Sequence, residues 1–231
     1  MSGDGPRTKV RLKDARAHTA SSQRWLSRQL NDPYVQRAKS MGYRARSVFK
    51  LEEIDERFGL IKRGRIVVDL GAAPGSWSQY AVKKGARVVA VDLQPMDPIA
   101  GVTIIEGDFL EAETEQALVQ VLEGQDRVDL VLSDMAASST GRKLVDRLRA
   151  EQLGEAVLTF AEAHVGQGGA VLIKLVRGAE AVLQQQAKTI FRSVRILRPE
   201  ATRSDSSECF LLALDRLPAE GTPAQEPGSL R

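Results

Sequence analysis

The run Ile66-Val67-Val68-Asp69-Leu70-Gly71-Ala72-Ala73-Pro74-Gly75-Ser76-Trp77 constrains this chain more than any other. An apolar, β-branched stretch of strand length suits a strand buried on both faces of a parallel sheet. An acid and a glycine-rich turn close it, and a segment with helix grammar follows. That order opens a doubly wound α/β sheet, whose first turn brings a nucleotide-type ligand to the carboxyl ends of the strands. Glycine there lets backbone pass close to the ligand, where a Cβ would intervene.

Strand and helix signals alternate through the rest of the chain. Strands are expected near Ile66–Leu70, Arg87–Asp92, Val102–Glu106, Val128–Ser133, Ala170–Leu175, Val194–Leu197 and Cys209–Leu214. Helices are expected near Trp77–Lys83, Thr114–Leu122, Val145–Ala163 and Glu180–Phe191. This alternation implies an α/β sandwich around a mostly parallel, seven-stranded sheet. The polar segment Arg198–Ser207 joins the last two strands without a helix, which allows an antiparallel pair and an antiparallel last strand. Upstream, a helix from Ser21 would place Trp25, Leu26 and Leu30 on one side. Asn31-Asp32-Pro33 reads as a cap with proline in the first turn of a short helix that Gly42 ends. A further helix, Arg46–Phe58, carries the apolar stripe Val48, Leu51, Ile54 and Phe58, with Lys50 beside it. One domain over residues 21–216 is expected, its 21–64 segment forming basic helices. Disordered tails are expected over 1–20 and 217–231.

A chain of 231 residues, 42% hydrophobic, can bury a real core. No apolar run reaches the length of a membrane span, and no signal-peptide pattern opens the chain. The Arg-rich start contains Asp4 and Asp14, unlike a transit peptide, so a cytoplasmic address is expected. Cys209 is the only cysteine, and His18 and His164 are the only histidines. Intrachain disulfides, thiolate zinc clusters, histidine-rich metal sites and a Ser-His-Asp relay are thereby excluded, and no metal is expected. Acid–base work falls to Lys, Asp, Glu or Tyr. Cys209 reads as a small buried hydrophobe. The net charge of +3 hides an asymmetry, because residues 1–65 hold 16 basic against 7 acidic residues. A basic end on a mildly acidic body is an electrostatic footprint for polyanions, the plain alternative being a solvated tail. Trp25, Tyr34 and Tyr43 lie among those charges and could stack on bases, which favours nucleic acid.

The turn Gly71–Gly75 lacks the second close glycine of a dinucleotide fingerprint and holds a proline instead. It suits a ligand without a pyrophosphate, which disfavours a nicotinamide-dependent oxidoreductase. Asp92 ends the second strand, placed to accept from ribose hydroxyls. Asp108 follows the third strand and could receive an adenine amine, and Asp134 ends the fourth. Singly each is an ordinary strand-end or cap residue. Together with Asp69 they suit a ligand that joins adenosine, an amino acid and a sulfonium, which is S-adenosylmethionine.

At this point the chain resembles a known family. Ser-Val-Phe-Lys50-Leu, Asp-Leu-Gly-Ala-Ala-Pro-Gly75-Ser-Trp77, Val-Asp92-Leu-Gln-Pro-Met-Asp-Pro, Glu-Gly-Asp108-Phe, Ser-Asp134-Met-Ala, Ile-Lys174-Leu and Ser-Ser-Glu208-Cys occur in series. In this order, from about Ser22 to Leu214, they are similar to the FtsJ/RrmJ family of RNA 2′-O-ribose methyltransferases. The resemblance implies a class I S-adenosylmethionine-dependent methyltransferase fold. It places a catalytic Lys-Asp-Lys-Glu tetrad on Lys50, Asp134, Lys174 and Glu208, and cofactor contacts on Gly75, Trp77, Asp92, Asp108 and Asp134. It further implies action on a uridine of large-subunit ribosomal RNA, in the A-loop of the assembled subunit, and a monomer is expected. A ribosome-assembly factor with incidental methyl transfer and a transfer-RNA methyltransferase are the alternatives. Ala137-Ser138 stands where the family has Pro-Asn, and Val176-Arg177 where it has Phe-Gln.

The residues themselves bear on those roles. A sulfonium methyl is already activated, so the difficulty lies in the ribose hydroxyl until its proton begins to leave. An apolar strand end disfavours the ammonium form of Lys174, which would make it a base. Asp134 and Glu208 favour the ammonium, which would orient the hydroxyl instead, and both readings stand. Taken singly, Lys174 is a strand-end lysine reaching water, Lys50 a solvated helix lysine and Glu208 a surface residue. Strand ends that share one crevice make the joint reading stronger. Arg24, Arg28, Arg37, Lys39, Arg44 and Arg46 are expected to line the approach for phosphates.

Overall fold

The computed structural model describes residues 31–124, 127–137 and 140–218. The expected helix from Ser21, with Trp25, Arg24 and Arg28, lies outside those residues, as do tail 1–20, Ser138 and residues 219–231. In chain order the elements are α1 (Pro33–Ser40), α2 (Val48–Phe58), β1 (Ile66–Leu70), α3 (Ser76–Lys83), β2 (Arg87–Asp92), β3 (Val102–Glu106) and α4 (Ala112–Leu122). They continue with β4 (Val128–Ser133), α5 (Lys143–His164), β5 (Val165–Val176), α6 (Glu180–Ile190), β6 (Phe191–Leu197) and β7 (Glu208–Arg216).

The strands form one sheet in the order β3-β2-β1-β4-β5-β7-β6. β1 to β5 pair in parallel, and β7 runs antiparallel between β5 and β6. The seven expected strands and the reversed last one are therefore present. Side-chain alternation divides the core. Ile66, Val68 and Leu70 face one cluster with Leu118 of α4, Val157 and Phe160 of α5 and Leu183 of α6. Val67, Leu130, Leu172 and Phe210 face the other, with Leu51 of α2 and Trp77 and Tyr80 of α3. Helices thus cover both faces, which is why β1 and β4 read as apolar runs rather than alternating ones.

Asp32 caps α1 by accepting the Tyr34 amide at 3.0 Å, and Pro33 occupies the first helical position. Asp55 is buried on the inner side of α2. Its carboxylate accepts from the Ile61 amide at 2.7 Å and the Tyr80 hydroxyl at 2.9 Å, tying α2 to α3.

Two strands begin three or more residues before their expected starts, for the same reason. β5 starts at Val165 rather than Ala170, because Val165 pairs with Val128 across a register shift. β6 starts at Phe191, which is buried and pairs with Arg216. In both cases pairing with a neighbouring strand overrides a glycine-rich or helix-like local sequence. Cys209 is buried as expected, and burial, with Glu180 adding to it, pushes its thiol up to about 12. No described helix is long and apolar enough to cross a membrane.

Candidate active site

The carboxyl ends of β1, β2, β3 and β4 open into a cavity of about 580 Å³. Asp92, Asp108 and Asp134 line it together with Leu93, Leu110 and Met135. The turn after β1 forms its floor. Gly71 has φ 72°, and a Cβ there would stand 2.7 Å from the Met135 amide nitrogen. The Asp134 amide donates to the Leu70 carbonyl at 3.0 Å, so the loops after β1 and β4 lie directly against each other. Asp92 accepts the Ala73 amide on one oxygen at 2.8 Å and the Gln94 amide on the other at 2.7 Å. Asp108 accepts the Leu110 amide at 3.0 Å. Each carboxylate is held rigidly by backbone and keeps lone pairs for a ligand.

Asp69 lies fully buried beneath this site. Ser78 donates to one of its oxygens at 2.6 Å, while the other has no partner. Burial pushes Asp69 up to about 7 against the Ser78 hydrogen bond, and the charges of Asp134 and then Asp92 add to the rise.

Gly75 and Trp77 stand back from the cavity. Gly75 caps α3 with φ 102°, and a Cβ there would meet Ile99 at 2.6 Å and Arg44 at 3.1 Å. The Trp77 indole is buried, donates to the Ser47 carbonyl at 2.9 Å and packs on Phe210. Its side chain is thus spent in the core. What it can offer a ligand is its amide, which in the first turn of α3 has no intrahelical acceptor.

The four expected catalytic residues form two ion pairs at one end of the sheet. Lys174 on β5 places Nζ 2.8 Å from the Asp134 carboxylate and donates to the Asp134 carbonyl. Lys50 on α2 meets Glu208, the first residue of β7, at 2.5 Å. In the register of β5 and β7, Lys174 lies opposite Phe210 and Val176 opposite Glu208. Lys174 and Glu208 are therefore diagonal neighbours on one face, the face that α2 covers. The reversal of β7 is what brings the start of a strand to the end where the others finish.

Beside Lys50 and Glu208 lies a polar cleft of about 250 Å³ lined by Arg46, Ser47, Arg203 and Ser206. Arg46 and Arg203 share Asp32, at 3.2 and 3.0 Å. Arg46 Nε is buried without a partner, and burial lowers the pKa of its guanidinium, with Asp32 opposing the shift. Arg198 donates to the carbonyls of Arg203, Ser204 and Ser206, which shapes the loop before β7.

Several expected nucleic-acid contacts are occupied inside the protein. Tyr34 and Tyr43 pack against Phe49. Arg44 donates to the carbonyls of Pro74, Asp97 and Pro98 at 2.8 to 3.0 Å, stapling the glycine turn to the following loop. Arg37 pairs with Glu52 at 2.9 Å. These side chains hold the N-terminal helices onto the core. Among the described residues of the expected set, Arg46 lines the cleft at the tetrad. Arg203, Leu93 and Leu110 were not legible as site residues. The available signal was that the two leucines follow Asp92 and Asp108 within two residues; in the fold Leu93 is 65% exposed. Among the described residues no His, Cys, Asp and Glu cluster could hold a metal ion.

A model of the FtsJ-like methyltransferase family matches residues 43–216. A protein of Acidiphilium cryptum named ribosomal RNA large subunit methyltransferase E is 51% identical over 213 residues, covering 91% of this chain and 94% of its own. A protein of the same name from Xanthobacter autotrophicus is 48% identical, covering 91% of this chain and 85% of its own. A solved structure from Plasmodium falciparum described as a ribosomal RNA methyltransferase superposes with a TM-score of 0.68 at 27% identity, over 76% of this chain and 99% of that one.

Proposed function

Because the chain belongs to the FtsJ-like methyltransferase family, we propose that it methylates the 2′-hydroxyl of a uridine ribose in large-subunit ribosomal RNA, using S-adenosylmethionine. The observation that supports this reading most is the meeting of Lys174–Asp134 and Lys50–Glu208 beside a carboxylate-lined cavity. The named relatives support ribosomal RNA as the substrate. The A-loop of the assembled subunit and a monomeric, cytoplasmic enzyme complete the proposal.

The cavity fits the donor. Its three carboxylates complement a sulfonium and an ammonium, and exposed Leu93 and Leu110 offer apolar cover for an adenine. When bound, S-adenosylmethionine supplies an activated methyl group. Asp92 would hold the ribose hydroxyls, Asp108 the adenine amine, and Asp134 the positive end. Gly75 and the Trp77 amide would shape the turn against which it rests.

On the acceptor side, Lys174 Nζ is held 2.8 Å from the Asp134 carboxylate. Lys174 then donates to the 2′-oxygen, directs its lone pair and stabilises charge as the proton leaves late for water. Glu208, oriented by Lys50, accepts from the hydroxyl and fixes its rotation. Arg46 and Arg203 share one carboxylate, and the surplus positive charge suits a flanking phosphate.

The test is methyl transfer from radiolabelled S-adenosylmethionine to large ribosomal subunits that lack the modification, with naked ribosomal RNA and transfer RNA alongside. Label entering the subunits, and lost in Lys174→Ala while the fold persists, is the expected result. Retained transfer in Lys174→Ala would remove that residue from the mechanism, and label in transfer RNA alone would overturn the substrate.

A further inference from the structure

A second cavity, of about 480 Å³, adjoins the site and has no part in the roles given so far. The loop after β4 (Met135, Ala136, Ala137), α5 (Ala150, Leu153) and the end of β5 (Leu175, Val176) enclose it. It shares Met135, Ala136, Ala137 and Leu153 with the donor cavity, and it shares Lys174 with the tetrad. Lys174 therefore stands where the two spaces meet.

The chemistry of the lining is divided. The pit is made of small and apolar side chains, whereas Lys143, Arg147 and Arg177 stand exposed at its rim. Asp146 lies on the same rim, and Arg147 reaches Glu151 at 3.4 Å, so the balance of these groups stays positive. Val176 and Arg177 occupy two of the positions that depart from the family pattern, a smaller side chain and an added cation. An apolar pit with a cationic rim fits a flat ring bonded to an anion. The volume lies within the ~300–1,000 Å³ range of pockets that enclose small organic groups.

Covalent geometry narrows the occupant. The carbon that bears the base is bonded directly to the carbon that bears the 2′-hydroxyl, so a ribose held at Lys174 puts its base within a few ångström. Two spaces border the tetrad on the acceptor side. The cleft at Arg46, Arg203 and Glu208 is polar throughout and suits phosphate. The cavity at Ala150 and Val176 alone offers apolar walls to a ring. RNA-modifying proteins read single nucleotides by splaying them out of the stack.

Resting on the functional reading above, we propose that this cavity receives the base of the nucleotide whose ribose is methylated, with an adjoining phosphate on Lys143, Arg147 and Arg177. Binding of uridine 5′-monophosphate, measured by calorimetry on the full chain, tests it together with transfer to large ribosomal subunits. Ala150→Phe fills the pit from a position that does not line the donor cavity, and Arg177→Glu inverts the rim at an exposed site should the larger ring disturb folding. Each variant is expected to weaken nucleotide binding and raise the KM for subunits about tenfold, roughly 1.4 kcal/mol of lost binding. Affinity for S-adenosylmethionine should stay unchanged. Unaltered nucleotide binding and RNA KM in both variants would overturn the assignment, as would a loss of S-adenosylmethionine affinity, which would make the cavity an annex of the donor site. Wild-type protein that methylates no RNA, yet binds the nucleotide in a manner both variants abolish, would sink the reaction and support the base site.

Discussion

Asp69 shows what a single side chain costs when a site is built over it. Its ordinary value of 3.8 rises to about 7, chiefly through burial. Between those values the folded chain keeps a proton that the unfolded chain has released. Stability from this group is thus complete below pH 3.8 and falls as pH climbs to about 7. At about 1.4 kcal/mol per unit, the loss reaches roughly 4 kcal/mol at higher pH. Asp69→Asn keeps an acceptor for Ser78 and carries no charge. Its melting temperature should match wild type near pH 4 and exceed it by a growing margin towards pH 8. A gap that does not change with pH would show that Asp69 does not titrate there. The resemblance, not spacing, pointed to Lys50, Asp134, Lys174 and Glu208, and the fold brings all four together at one end of the sheet. Arg44, Tyr34 and Tyr43 misled because a cation or ring among basic residues reads as surface. Only packing against Phe49 and the Pro74 carbonyl reveals them as fasteners.

Among the elements, the contact between the β1 and β4 loops sets the shape of the proposed donor cavity. Gly71→Ala forces a Cβ to within 2.7 Å of Met135 backbone, at a φ of 72° that side chains rarely adopt. The Asp134 loop must then move, and the Lys174 pair with it. Weaker S-adenosylmethionine binding, lower transfer and a lower melting temperature should appear together. Normal donor affinity in that variant would mean the loops are not in register with the ligand. Asp55 acts between α2 and α3. Asp55→Ala leaves the Ile61 amide and Tyr80 hydroxyl short of their acceptor and should cost roughly 2–4 kcal/mol in denaturant unfolding. Loss below half a kcal/mol would mean water replaces it. Strands β1 to β4 were legible because each is an apolar run with an acid at or just beyond its end. The first residues of β5 and β6 were not, since Val165 and Phe191 owe their extended state to partners far away in sequence.

For the molecule as a whole, charge asymmetry was legible but its use was not. Much of the positive charge over 31–46 is engaged within the fold, and the cationic groups near the tetrad come also from β7's approach, through Arg203. Arg203→Ala should weaken RNA binding at low salt and reduce the slope of affinity against salt by about one counterion. An unchanged slope would place phosphates elsewhere. The reversed last strand has a further consequence, in the order of synthesis. The residues that line the donor cavity run from Gly71 to Leu153, whereas Lys174 comes later and Glu208 opens the final strand. β7 also lies between β5 and β6, so β6 has no neighbour in the sheet until β7 arrives. A chain leaving the ribosome therefore completes the sequence of the proposed donor pocket first, and the proposed tetrad only when Glu208 of the final strand emerges.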